Sequence, residues 1–370
     1  MDGSRAKVER TLSGSLWHEF CDVLKSAGDT ILRPEVPKDP LDRAEGYRYL
    51  TRILRLALEM HVENAEPRTP RLGLGCRPDI KLGCDNPDSY YLTAPLHAVH
   101  DYRIRGRLGT VPYLSFGAYF GGMGSTRSGC SGSLEAGQLA TEADGRFEIV
   151  LSARPQSGNW IALDPEAGSH QLVVRQTYLH RGKQSVADLA IERLGGQGDT
   201  PPLDAALFHD RLLAAASYVK NNASLFADWA RDFQQYPNQV RPLDVSRVQG
   251  DPNLFYLQGY WALEQDEALL LEFRPPDCDY WNFQLNNYWL ESLDYRDHRI
   301  DLNGGAAKLE ADGRVRIVIA HRDPGHPNWI ETASHARGTL GLRIVKGREQ
   351  PVVEQRVVAF AQISAFTGRR

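Results

Sequence analysis

The stretch from Asp144 to Ile161 reads DGRFEIVLSARPQSGNWI, and the stretch from Asp312 to Ile330 reads DGRVRIVIAHRDPGHPNWI. Both open on Asp-Gly-Arg, run through an apolar segment of strand character and close on Asn-Trp-Ile. The offset is 168 residues at the aspartates (Asp144, Asp312) and 169 at the tryptophans (Trp160, Trp329), so one insertion lies between them. It returns to 168 at Arg175 of LVVRQ and Arg343 of GLRIV. Matches that stay in register over such a distance mark an internal duplication.

Upstream of each copy lies a segment of helical period. Tyr47, Leu50, Leu54, Ala57, Leu58 and His61 share one face, and so do Leu212, Ala216, Val219, Ala223, Phe226 and Phe233. Downstream come short alternating or β-branched and aromatic runs: YRIRG, PYLSFGAYF, ALLLEFR, YWNFQL and VRIVIA. A helix and then many antiparallel strands, twice over, predicts an α+β fold that is mostly β, built as two tandem sandwich or jelly-roll-like lobes. The expected divisions are a helical segment over 1–45, a first lobe over 46–196, a Gly/Pro-rich linker over 197–204 and a second lobe over 205–370. A Gly- and Ser-rich run from Gly121 to Gly137 is too long for a tight hairpin and reads as a binding loop or surface excursion.

The chain has 370 residues, of which 42% are hydrophobic and 24% charged, with a formal net charge of −4. That balance gives no electrostatic reason to expect nucleic acid or an anionic membrane as partner. Residues Met1 to Gly28 lack the apolar core and small-residue site of a secretory signal, and no run of 18 apolar residues follows, so a cytoplasmic protein is expected. The five cysteines are odd in number and contain no CxxC, which suits reduced thiols. GxxxxGK[ST], HExxH and GxSxG are all missing from the sequence.

Three polar clusters could carry chemistry. In GCDNPDSYYLTAPLHAVHDY, Asp85, Asn86 and Asp88 sit at a strand entry beside Tyr91. They form turn chemistry, or else an oxygen-rich wall of a cleft where a divalent cation is possible. In YWNFQLNNYWLESLDY, alternation places Asn282, Gln284 and Asn286 on one face and Phe283 and Leu285 on the other. With Trp289 they suit recognition of a hydroxylated small molecule. In HRDPGHPNWIETASHARGTLGLR, Asp323, His326, His335 and Arg337 have no equivalents in the first copy. A histidine near a carboxylate can act as a general base, and Arg337 or Arg343 can hold an anion. Asn159, Trp160, Asn328 and Trp329 recur in both copies and read as scaffold.

The segments GCDNPDSYY, YRIRG, DYWNFQLNNYWLESLDY and DPGHPNWIETASHARGTLGLR together resemble a bacterial family known by its domain of unknown function 1214. The resemblance is fullest from Phe255 to Val345. It implies a mostly β, jelly-roll-like domain and frequent homo-oligomerisation, and it implies no reaction. The reading favoured by the residues is an enzyme, a hydrolase or lyase, acting on a small hydroxylated metabolite between the lobes. Asp323, His335 and His326 would be its catalytic groups, and no cofactor is predicted. The alternatives are a non-catalytic binder of a carbohydrate or lipid-like ligand and a structural assembly module.

Overall fold

The computed structural model describes residues 2–121, 127–196, 201–243, 251 and 253–363. Part of the expected linker (197–200) and the middle of the Gly-rich run (122–126) fall outside the described residues.

Four helices precede or join the lobes: α1 (Asp2–Leu12), α2 (Ser15–Gly28), α3 (Pro40–Leu58) and α4 (Ala205–Gln234). The first lobe carries β1 (Gly73–Leu74), β2 (Ser89–His97), β3 (Tyr102–Arg107), β4 (Tyr113–Phe120), β5 (Gly129–Glu135), β6 (Arg146–Ser152), β7 (Trp160–Ala162), β8 (Ser169–Thr177) and β9 (Asp188–Arg193). The second carries β10 (Gln239–Leu243), β11 (Leu254–Ala262), β12 (Glu267–Phe273), β13 (Tyr280–Leu285), β14 (Asp301–Asn303), β15 (Val315–Ala320), β16 (Trp329–Glu331), β17 (Arg337–Val345) and β18 (Glu354–Ala359).

The sheet orders are the strongest statement of the duplication. One sheet of the first lobe runs β1-β2-β8-β4-β5 and its counterpart runs β10-β11-β17-β13-β14. The other pair runs β7-β6-β3-β9 and β16-β15-β12-β18. Each strand of one lobe thus has its counterpart nine strands later, in the same place, including the parallel pairs β6–β7 and β15–β16. The fold is therefore α+β, mostly strand, in two sheet-rich lobes each preceded by a helix.

Alternation explains how each lobe closes. Phe116, Leu172 and Val174 from one sheet meet Ile104, Ile149 and Leu151 from the other. In the second lobe Phe283, Leu285, Leu340 and Leu342 meet Leu269, Leu271, Ile317 and Ile319. The repeated Asn-Trp is a splint in both. Asn328 donates to the carbonyls of Lys308 and Arg316 and accepts from the Lys308 N–H, while Asn159 does the same with Ala140 and Glu148. The Trp329 and Trp160 indole N–H groups reach the Ala320 and Ser152 carbonyls.

The helices form a layer of their own. Asp39 and Asp204 cap α3 and α4 with their carboxylates, and the two helices pack on each other. The buried face of α3 differs from the one expected. It is Asp42, Glu45, Gly46, Tyr49, Ile53, Leu56 and Ala57, with Tyr47 exposed. Two polar residues and a glycine occupy that face because they meet specific groups of the second lobe, so an apolar count alone points a fraction of a turn away. The expected face of α4 is the observed one from Leu212 to Phe226, and Phe233 is partly buried against the same core.

Candidate functional site

The sheet face turned away from the sandwich core is buried in the second lobe and half-buried in the first, because the two five-stranded sheets meet. Asn86 and Asp88, just before β2, reach across to β13 of the other lobe. There the Tyr280 hydroxyl donates to Asp88 (2.6 Å) and accepts from the Asn86 amide (3.3 Å). Asp251 and Asn253, just before β11, reach back to β4. The Tyr113 hydroxyl donates to Asp251 (2.9 Å) and accepts from the Asn253 amide (3.3 Å). Each turn is pinned to its own lobe in the same way: the Asn86 N–H donates to Tyr91 and the Asp251 N–H to Tyr256, both at 3.1 Å. Contacts exchanged reciprocally between two copies describe an approximate two-fold relation between the lobes.

The arginines of the duplication sit in this interface. Arg175 pairs across β2–β8 with Tyr91, and Arg343 across β11–β17 with Tyr256. Arg175 donates to the Tyr119 hydroxyl (2.9 Å) and lies 3.9 Å from the Asp251 carboxylate. Arg343 donates to Gln284 (2.6 Å), to Asn282 (3.3 Å) and to the carbonyl of Cys84.

Between this polar floor and the helices lies a cavity of about 190 Å³. Leu56, Met60, Tyr218, Phe226 and Trp229 of the helical layer, with Leu82, make an apolar wall. Opposite stand Arg175, Arg343, Asp85, Tyr91, Tyr256, Gln171 and Gln258. Met60, Gln171 and Tyr218 also border a larger outer cleft of about 730 Å³, which His61, His97, His100 and His170 help to line. Burial pushes the Cys76 thiol and the Tyr91 hydroxyl at the inner cavity up to about 12, so both are neutral donors at neutral pH. Among the described residues no group of three or more His, Cys, Asp or Glu is placed to hold a metal ion.

The residues expected to form a site separate into three groups. Arg343, Asp85 and Tyr91 border the cavity. Asn282, Gln284 and Asn286 share one buried face as alternation predicts, yet they face the other lobe: Gln284 donates to the Asp85 carbonyl and Asn286, and Asn282 donates to Asn86. Asn86 and Asp88 belong to the inter-lobe contact.

The third group lies elsewhere. Asp323 is exposed and accepts from the Gly325 N–H, which is turn chemistry. His326 accepts from the Asn328 N–H, and its other nitrogen is 3.7 Å from Glu310. His335 meets Glu45 of α3 (3.1 Å), and Arg337 meets Asp39 (3.2 Å) and Asp42 (3.7 Å) of the same helix. No hydrogen bond or ion pair joins Asp323 to either histidine among the described residues. Trp289 is fully buried under α3, its indole N–H donating to the Asp42 carbonyl and its ring against Gly46, so it offers no face to the cavity. In the second lobe His335, Arg337 and Trp289 stand where α3 and its cap dock on it.

Comparison with known proteins bears on the whole chain. Residues 262–349 match the family described as a protein of unknown function, DUF1214. A crystal structure of an uncharacterised protein from Burkholderia cenocepacia is 44% identical, covers 96% of this chain and 99% of its own, and superposes with a TM-score of 0.93. The chain belongs to the uncharacterised bacterial family related to DUF1214. A Vibrio parahaemolyticus protein is similar at 12% identity over 90% of this chain and 99% of its own, with a TM-score of 0.47. No curated protein matches the chain. In this DUF1214-related chain no helix of the described residues is long and apolar enough to cross a membrane.

One repeat in the DUF1214-related sequence is visible only with the interface in view. Asn86 to Tyr91 reads NPDSYY and Asp251 to Tyr256 reads DPNLFY. This repeated Asx-Pro-Asx motif followed by a tyrosine is the inter-lobe lock; it adds Tyr256 to the residues that line the cavity and Asp251, Tyr113 and Tyr280 to the inter-lobe contact.

Proposed function

We propose that this protein is a non-catalytic binder of a small amphiphilic, lipid-like molecule held between the two lobes and the helical layer. The observation that carries the reading is the two-faced cavity, with an apolar helical wall opposite a floor of guanidinium, phenol and amide groups. Pockets of this make-up bury an apolar body and orient it through a few polar contacts. The groups expected to move protons, Asp323, His326 and His335, are engaged in turns and helix docking, which favours binding over hydrolysis or elimination. An engineered apolar cavity of about 150 Å³ holds benzene, so the inner cavity suits a body of that size or slightly larger, with the outer cleft taking any extension.

The test is a thermal-shift screen with short-chain amphiphiles and, as the competing arm, mono- and disaccharides. A ligand at a hundred times its Kd stabilises by about 2.7 kcal/mol, a readily measured rise in melting temperature. The amphiphiles are expected to raise it, and Met60→Trp, which fills the cavity, should abolish the rise. Binding of sugars alone, or binding unaffected by Met60→Trp, would overturn the reading.

A further inference from the structure

The two lobes place equivalent arginines beside the cavity but give them different company. Arg175 has the Asp251 carboxylate at 3.9 Å. The counterpart of Asp251, 165 residues earlier, is Asn86, which carries no charge and accepts from Asn282 at 3.2 Å. Arg343 is therefore held by three neutral acceptors, Gln284, Asn282 and the Cys84 carbonyl. No carboxylate of the described residues lies within 4.0 Å of it.

The surrounding charges are matched elsewhere. Glu291 pairs with Arg52 at 2.7 Å, and Asp85 lies in the field of Lys81 and accepts from the Ser292 N–H and hydroxyl. Asp88 is bonded to Tyr280 and Asn303 and feels the charges of Arg181 and Arg343 from beyond ion-pair distance, and burial, the largest influence on it, raises its pKa and weakens it as a counter-ion. A guanidinium has five N–H donors, and three of those on Arg343 are used on its neutral partners. The other two, one on Nε and one on Nη2, have no acceptor among the described residues and can meet an anionic oxygen. A buried cation with no carboxylate in contact is unfavourable, and an anionic ligand reduces that penalty on binding.

We propose that the ligand is a carboxylate-bearing amphiphile whose carboxylate is held by Arg343, with its hydrocarbon part against Met60, Phe226 and Trp229. This inference rests on the cavity-binding reading above and goes beyond it by assigning the ligand's charge and its anchor.

The experiment compares hexanoate with its uncharged isostere hexanamide, and with inorganic phosphate, by titration calorimetry on the full chain. Wild type is expected to bind hexanoate at least about tenfold more tightly than hexanamide, the difference that one charge-assisted contact supplies. Asn86→Asp combined with Asp88→Asn copies the Asp251-Pro-Asn253 turn, giving Arg343 an internal counter-ion, and is expected to cancel that preference while leaving hexanamide affinity unchanged. Arg343→Gln should do the same, and the double variant, which moves the turn's carboxylate without adding one, keeps the proposal testable if Arg343→Gln does not fold. Equal binding of hexanoate and hexanamide by wild type overturns the carboxylate anchor and leaves the cavity reading standing. A preference unchanged in the Asn86→Asp, Asp88→Asn double variant, or phosphate binding as tightly as hexanoate, overturns it as well. If neither six-carbon probe binds, the cavity reading itself falls and the anchor with it.

Discussion

The reciprocal tyrosines offer the most direct measure of what holds the lobes together. Tyr113→Phe and Tyr280→Phe each remove one hydroxyl and keep the ring, so no cavity opens at sites that are only 2% exposed. Each hydroxyl donates to a buried carboxylate, at 2.9 Å to Asp251 and 2.6 Å to Asp88. A hydrogen bond to a charged group is worth about 1.5–3 kcal/mol, and the carboxylates left behind retain side-chain donors, Ser115 and Asn253 for Asp251 and Asn303 for Asp88. Both variants should therefore lose about 2 kcal/mol. The Tyr280 variant should lose less at mildly acidic pH, because burial already raises the Asp88 pKa and protonation removes the unpaired charge. Guanidinium unfolding followed by tryptophan fluorescence and by far-ultraviolet circular dichroism gives the loss from the midpoints. If either phenylalanine variant matches wild type to within about 0.5 kcal/mol, the hydroxyls do not lock the lobes and the symmetric reading of the interface is wrong.

Two further outcomes follow from the docking of α3. A methyl group on Gly46 would lie 2.6 Å from the Trp289 ring, so Gly46→Ala should cost about 1–3 kcal/mol by overpacking, beyond the helix propensity it gains. Gly28→Ala, with nothing within 4 Å and a helical φ of −62°, should instead gain about 0.5–1 kcal/mol; a calorimetric melt that ranks the two the other way would contradict the packing argument. The same docking is pH-sensitive. Burial lowers the His335 pKa, but Glu45 more than offsets this and leaves it raised, so the pair's stabilisation is complete below about 6.5 and fades as pH rises through the folded value. Burial and the neighbouring Asp39 raise Asp42 to about 7, so its contribution is lost as pH climbs from about 4 to 7. The stability of wild type relative to Asp42→Asn should fall across that lower window, and relative to His335→Gln above about 6.5; differences that are flat with pH would refute the assignment.

The architecture was legible in the sequence because the duplication and the two-residue period are local signals. DGR…NWI located equivalent strands, and alternation in YWNFQL separated Phe283 and Leu285 from the amides correctly. What the amides face was not legible, since a polar row reads the same whether it meets water, a ligand or another buried sheet. The interface supplies the answer through Asn86 and Cys84, roughly 200 residues away in the chain. His335 and Arg337 drew a functional reading because they are absent from the first copy. Their carboxylate partners lie on α3, a helix whose contacts with the second lobe no spacing rule connects.

Differences between the copies are informative once the helices are added to the comparison. Asp42, Gly46 and Tyr49 of α3 close over Trp289, which stacks on the Tyr49 ring at 6.0 Å. The residues 165 positions later on α4, Leu207, Arg211 and Ala214, border the 730 Å³ outer cleft instead. The indole that α3 covers in the second lobe thus stands opposite residues whose α4 counterparts line a cleft. The same two-fold relation leaves Arg175 with a carboxylate and Arg343 with an amide. The first difference puts α4 at the outer cleft and the second leaves a charge to be answered, and Met60 and Gln171 border both the cleft and the inner cavity. A duplicated scaffold holds its stability in what the copies have in common, so positions where packing or charge is left incomplete in one copy alone are where a ligand has the most to contribute.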